Sequence, residues 1–329
     1  MTAGRRRRTC WMGVLLVSLA AAACDRDAAI RVAYAGSADF DMLPSVEAHA
    51  TLATEGLGVD LVHYARSELA VEAVARGEAE IGHGSVRNYW AAASRGAPVR
   101  LVMAHTGNVH RLVAHAAILH CSALDGRGVA VQSEGAAGTV FLRALLADRC
   151  PDALPAYLYL QMSTNRAAAL LSGRVRATVL KLADVVRLDR LAPGRFRVLG
   201  NFGELWGDIV TSGVFVNADW ATEHPDLVRR YLRARILSHR MPVDARELAS
   251  RAANALGESD DWGAVGGAYV SANVWDADGG VTDETIERSL AFFVEHGNLP
   301  ASLGGSTAAD LSFLTDVLAD LDDEARRIP

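Results

Sequence analysis

Lysine is all but missing from this 329-residue chain: of its 33 basic residues, Lys181 alone is not an arginine. Acidic residues number 39, for a formal net charge of −6. That excess argues against a nucleic-acid partner, whose phosphates are held by clustered Lys and Arg. Beyond residue 23 no apolar run approaches the ~18 residues of a membrane span. Cysteines number four, and neither Cys121 nor Cys150 has a Cys or His partner at zinc spacing, since His120 is merely adjacent, so no metal site is expected. The chain carries no Gly-x-Ser-x-Gly elbow, no Walker loop and no His-Glu-x-x-His helix. With these go the commonest hydrolase, nucleotide and zinc-protease chemistries, and no catalytic residue and no cofactor are expected.

The N-terminus stands apart from the rest. Arg5 to Arg8 form a basic start, Trp11 to Ala23 an apolar stretch too short to span a membrane, and Ala21-Ala22-Ala23 a small-residue cleavage site. Residues 1–23 therefore read as an export signal. Cys24 follows directly and resembles the lipidated cysteine of a bacterial lipobox, with Ala21 where leucine is usual. Either Cys24 is lipidated or the signal is an ordinary one cut near Ala23. With Asp25 next, the resemblance implies retention at the outer face of the cytoplasmic membrane, periplasmic in a Gram-negative cell.

Hydrophobic residues make up half of the whole chain, and the part past the signal is long enough for two domains of ordinary size. Short apolar strands alternate with helical periodicity. The strands are read at Ile30–Ala35, Val59–Tyr64, Glu80–Gly82 and Leu101–His105, with helices between them opened by Pro44 and capped by Ser67. Val129–Gln132 then precedes a Gly-rich turn, Ser133 to Thr139, and a helix bearing Val140, Phe141, Ala144 and Leu145 on one face. Tyr157–Leu160 and Ala177–Leu180 repeat the pattern. Arg111–His115 and Thr211–Val216 read as strands that leave one lobe and return to it. The remainder is helical: Asp219 caps one helix, Leu227, Tyr231, Ala234 and Leu237 or Ser238 form the apolar face of the next, and this tail is expected to pack on the first lobe.

Two segments carry a family likeness. Ser122-Ala123-Leu124-Asp125-Gly126-Arg127-Gly128-Val129 and Ala168-Ala169-Leu170-Leu171-Ser172-Gly173-Arg174-Val175-Arg176-Ala177 follow one another at the family's spacing. Arg95-Gly96-Ala97-Pro98-Val99 and Phe292 to Gly297 add further matches. The chain so resembles periplasmic substrate-binding proteins of ABC importers, in the branch that handles nitrate, sulfonates, taurine and thiamine-precursor pyrimidines. The resemblance implies an α/β, two-lobed periplasmic-binding fold, each lobe a mostly parallel sheet flanked by helices. Lobe 1 would be 28–112 plus 213–329 and lobe 2 113–212, joined by two crossing hinge strands. It also implies a monomer that closes on a small-molecule ligand and delivers it to an ABC permease with its ATPase, touching the membrane only through a lipid anchor. An envelope lipoprotein that signals its ligand state to a membrane sensor is the alternative. Enzymes of thiamine-precursor synthesis share the fold, but their cysteine-rich motif does not occur here.

Ligands of open α/β sheets bind beyond the carboxyl ends of the strands, and that rule picks the candidate site. In the first lobe it gives Ser37, Asp39, Phe40, Tyr64, His83, Ser85, Asn88 and His105. In the second it gives Ser133, Gly138, Thr139, Ser163, Lys181 and Trp206. Lys181 would pair with an anionic group of the ligand or with Glu134, or else be a solvated surface lysine. Phe40, Tyr64 and Trp206 would wall an aromatic slot or belong to the core. The ligand is expected to be organic, with an apolar body and an anionic or heteroaromatic character. Cys121 and Cys150 fall at the base of the same lobe, either joined as a disulfide or as two buried thiols.

Overall fold

A computed structural model describes residues 29–35, 39–241 and 244–327. The export signal, Cys24 and Ser37 lie outside the described residues. The first lobe runs β1 (Ile30–Ala35), α1 (Leu43–Thr54), β2 (Val59–Tyr64), α2 (Ser67–Ala75), β3 (Ile81–Ser85), α3 (Val86–Ala93) and β4 (Val99–Thr106). The second runs β5 (His110–His115), β6 (Gly128–Val131), α4 (Ala137–Arg149), β7 (Ala156–Tyr159), α5 (Ser163–Leu171), β8 (Ala177–Lys181), α6 (Leu182–Leu191), β9 (Phe196–Asn201) and α7 (Phe202–Leu205). The chain then returns through β10 (Ser212–Asn217) and ends in helices: α8 (Ala218–Glu223), α9 (Pro225–Arg240), α10 (Ala245–Leu256), α11 (Trp262–Ser271), α12 (Asp283–His296), α13 (Gly305–Ala308) and α14 (Ser312–Arg327).

The two sheets are built alike. One has the order β2-β1-β3-β10-β4, the other β7-β6-β8-β5-β9. In each, parallel strands supplied by βαβ units are joined by one antiparallel strand that has just crossed from the other lobe: β10 in the first sheet, β5 in the second. The crossings are residues 107–109 and 207–211. Strand composition follows burial. β4 and β6, covered on both faces, are nearly continuous apolar runs rather than alternating ones. Alternate residues of the second sheet face different helices: Leu112, Val129, Val131 and Val179 pack with Phe141 and Leu145 of α4, whereas Val113, Ala130 and Leu180 pack with Leu170 of α5 and Leu188 of α6.

Several local expectations need correction. His83, Gly84 and Ser85 continue β3 instead of forming a turn, because His83 and Gly84 pair with Val214 and Gly213 of β10. Ser67 is the first residue of α2 and makes no side-chain cap. Asn217, not Asp219, caps α8, its carbonyl accepting from the backbone N–H groups of Asp219 and Trp220 at 3.1 Å each. On α9 Leu237 is exposed, while Arg235 is fully buried between Tyr231 and His239 on the inward stripe.

The helical tail packs against α1 and β4 as expected, but it also reaches the second lobe on both faces. Trp262 and Tyr269 of α11 share a cluster with Phe40, Val109 and Ala183, the last from α6. On the other face Phe292 of α12 stacks on Phe141 of α4, ring centroids 4.9 Å apart. At the base of the second lobe a disulfide joins Cys121 and Cys150, Cα atoms 6.0 Å apart.

Candidate ligand-binding cleft

The carboxyl ends of both sets of strands converge on one cavity of about 140 Å³. The first lobe contributes Tyr34 and Ala35 from β1, His83–Ser85 from β3, and His105 and Thr106 from β4. From the second come Gln132 and Ser133 after β6, Gln161 after β7, and Lys181 at the end of β8. Buried arginines stiffen these ends. Arg166 of α5, 4% exposed, donates to the carbonyls of Leu160, Gln161 and Val179, tying β7 to β8. Arg111 donates to the carbonyls of Asn108 and His110, bracing one crossing.

One ion pair spans the cavity. Asp41, in the turn after β1, holds the ammonium of Lys181 on one carboxylate oxygen and accepts the hydroxyl of Tyr269 on the other. Burial alone would raise Asp41, but the Lys181 charge and hydrogen bond outweigh it and hold the carboxyl below its usual range. Burial likewise opposes the charge on Lys181, and Asp41 with Asp39 more than offsets it, so the ammonium is held above its ordinary value. Burial, then the Asp41 charge, pushes the Tyr269 phenol well up. Of the charged side chains lining the cavity, Glu68 remains beside this neutralised pair.

Three histidines complete the lining: His83, His105 and His110. The rings of His83 and His105 lie 4.8 Å apart. Behind them Tyr231 contacts His83 Nε2 at 2.8 Å and His49 Nε2 at 3.0 Å. Burial, reinforced by neighbouring positive charge, pushes His83 and His105 well below the ordinary histidine value. Burial followed by the Lys181 charge pushes His110 down to about 3. All three are therefore neutral, and among the described residues the side chains that line the cavity carry no excess of positive charge at neutral pH.

The residues singled out from the sequence scatter across this geometry. His83, Ser85, Asn88, His105, Ser133 and Lys181 line the cavity together. Asp39 and Ser163 border a side opening of about 270 Å³, where Arg187 meets Asp39 at 3.3 Å and lies over the Trp262 ring. Lys181 pairs with Asp41 and not with Glu134, which contacts Arg143 at 3.4 Å. Gly138 and Thr139 do not reach the cavity. A Cβ at Gly138 would lie 2.8 Å from Val179 and 3.0 Å from His110, so the glycine lets α4 approach the sheet, and Thr139 is buried within that helix. Phe40 is fully buried against Trp262, Tyr269 and Trp275. Trp206 packs among Phe141, Phe202 and Phe292, and Tyr64 packs at the edge of the first-lobe core. The aromatics serve packing because the tail supplies rings that the strand-end rule does not anticipate. Asp41, His110, Gln132 and Gln161 also line the cavity without being singled out from the sequence, although the strand-end rule covers Gln132, one residue beyond β6, and Gln161, two beyond β7.

Residues 52–237 match the model of the family described as NMT1/THI5 like. No curated protein sequence matches the chain. Solved structures match it over nearly their whole length. The ligand-binding component of an ABC-type import system from Staphylococcus aureus, with zinc bound, has a TM-score of 0.72 at 11% identity, covering 88% of this chain and 98% of its own. The alkanesulfonate-binding protein SsuA from Xanthomonas axonopodis pv. citri, bound to MOPS, gives 0.67 at 18% identity, with 85% and 98% covered. The periplasmic nitrate-binding protein NrtA from Synechocystis PCC 6803 gives 0.68 at 13% identity, with 92% and 91% covered. The fold is that of the periplasmic binding proteins.

Proposed function

The chain belongs to the NMT1/THI5-like family, and from that premise we propose that it is an extracytoplasmic solute-binding protein that serves an ABC importer. It captures a small organic molecule between its lobes and presents the closed form to a permease with its ATPase. The observation that carries this reading is the convergence of strand ends from both sheets on one cavity, the place where open α/β sheets take ligands. Residues 107–109 and 207–211 act as the hinge, and closure is the capture step. Export through the N-terminal signal and anchoring at Cys24 belong to the same proposal, and the lobes divide at these two crossings, a few residues from the expected 112/113 and 212/213, since β5 pairs whole within the second sheet and β10 within the first.

Charge argues for the class of solute. A sulfonate or nitrate needs a surplus of positive charge or donors, yet Lys181 is neutralised by Asp41 and the histidines are neutral. Hydroxyl and amide groups of Ser85, Asn88, Gln132, Ser133 and Gln161 dominate instead. The heteroaromatic part of the expectation is therefore favoured over the anionic part: an uncharged, planar solute with polar edges. An apolar cavity of about 150 Å³ holds benzene, so a single-ring solute suits the present closure. Native mass spectrometry of the mature protein, then a thermal-shift screen over pyrimidines, aromatic acids, riboflavin-like compounds, sulfonates and nitrate, tests this. A shift with uncharged ring compounds supports it; a shift confined to sulfonates or nitrate overturns the solute class, and no ligand from any class counts against solute capture.

A further inference from the structure

We propose that Arg235 and Asn108, both outside the cavity lining, lock two of the three cleft histidines in opposite tautomers, so that His105 offers an N–H and His110 a bare ring nitrogen to the solute. A neutral imidazole has one donor and one acceptor nitrogen, and the partner of one nitrogen decides the state of the other. Arg235 is fully buried on α9, and a guanidinium can only donate. Its Nη2 lies 3.3 Å from His105 Nδ1 and 3.3 Å from His239 Nε2. Both nitrogens must then accept, which leaves the protons on His105 Nε2 and His239 Nδ1.

His239 checks the assignment independently. Its Nδ1 is 2.8 Å from the Asp276 carbonyl, which can only accept, so that nitrogen carries the proton. His105 sits in the wall between the cleft and a second cavity that His239 also lines. With Nδ1 turned to Arg235, Nε2 is the nitrogen left for the cleft.

His110 is set the other way. Its Nδ1 lies 3.3 Å from Asn108 Oδ1. That atom is the oxygen of the amide, because it also accepts from the His110 backbone N–H at 3.2 Å while Asn108 Nδ2 donates to the Phe202 carbonyl at 3.2 Å. Nδ1 of His110 therefore donates and Nε2 is bare. Around His105 stand His83 from β3, Asp41 from the turn after β1, Lys181 from β8, and Arg235 and His239 from α9. A solute seated here has to bring one acceptor and one donor, and a symmetric anion brings only acceptors. Arg235 and Asn108 are positioning residues in this scheme.

The scheme rests on the cleft being the solute site, but its test needs no solute. Long-range ¹H–¹⁵N spectra of the ligand-free, ¹⁵N-histidine-labelled mature protein, assigned with H105Q and H110Q, read each tautomer directly. The expected result is an unprotonated Nδ1 on His105 and an unprotonated Nε2 on His110. The same tautomer on both rings, or a protonated Nδ1 on His105, overturns the proposal. Arg235→Met should release His105 into mixed or protonated forms, with Arg235→Lys restoring the wild-type signature. Asn108→Leu should release His110 and Asn108→Asp should not. Should a buried variant fail to fold, the wild-type spectrum decides by itself. A failed ligand screen with these tautomers intact would count against the solute reading alone.

Discussion

Asp41 and Lys181 are 140 positions apart in a chain with a single lysine, and their ion pair ties the turn after β1 to the end of β8 across the cleft. Removing one partner of a fully buried pair costs about 3–5 kcal/mol, and exposed pairs contribute about 0–1 kcal/mol. Lys181 is about one-third exposed, so Lys181→Met should destabilise by an intermediate amount, about 1–3 kcal/mol in denaturant unfolding. Adding Asp41→Asn should recover part of that loss, because the stranded carboxylate goes with it. Purely additive effects would mean that the pair is uncoupled.

Ionic strength should act on closure. Arg187 meets Asp39 at 3.3 Å, and Arg190 pairs with Asp261, so α6 is held against the first lobe and the start of α11 by partly exposed charges. At about 1 M salt the screening length is about 3 Å. Small-angle scattering should then report a larger radius of gyration than at low salt, and R187A/R190A should be expanded already at low salt. Identical scattering under all these conditions would mean that these pairs do not hold the lobes together.

Acid should unfold the protein earlier than its carboxylates alone require. His49, His110 and His239 are pushed down to about 3, each first by burial, and His83 and His105 also fall well below the ordinary value. Such a histidine stays neutral in the native state while the unfolded chain gains protons below about pH 6.5. Stability is thus full above that pH and declines toward about 3, by up to about 1.4 kcal/mol per pH unit for each ring. Asp41, held low, adds loss in the same direction once pH drops below the ordinary carboxylate range. Calorimetry should show a melting temperature that is flat above about pH 7 and falls steeply below about pH 6.

Reduction should weaken the second lobe only. The Cys121–Cys150 bond closes a loop across 29 positions, for which the chain-entropy model gives about 3–4 kcal/mol. C121S/C150S should lower one calorimetric transition and leave the Asp41–Lys181 coupling in place. A uniform shift of the whole profile would mean that the lobes unfold as one unit.

Much of this arrangement is legible in the linear chain, and the reason is locality. Val129–Gln132 and Ala177–Leu180 are apolar runs bounded by glycine and polar turns, so strand, turn and helix are written within about thirty residues of one another. Strand ends then predict the cleft wall, which is how His83, His105, Ser133 and Lys181 come out together. What stays hidden depends on distant partners. Nothing near Lys181 points to Asp41, and nothing near Phe40 points to Trp262 and Tyr269, which arrive from α11 more than 200 positions later. Arg235 is hidden for another reason: an arginine within an apolar stripe reads as solvent-facing, and of the ring nitrogens its Nη2 meets, that of His105 lies 130 positions away.

The tail that grips the second lobe on both faces also sets how that lobe can move. With Trp262 and Tyr269 of α11 beside Ala183 on one side, and Phe292 of α12 stacked on Phe141 on the other, a twist or sideways tilt must unpack one aromatic cluster or the other. Burying such a ring is worth roughly 1.5–3 kcal/mol. A swing that slides along both contacts meets far less resistance. A lobe that opens and closes is thereby guided like a drawer between runners, along one path, and each closing returns Lys181 to the same carboxylate.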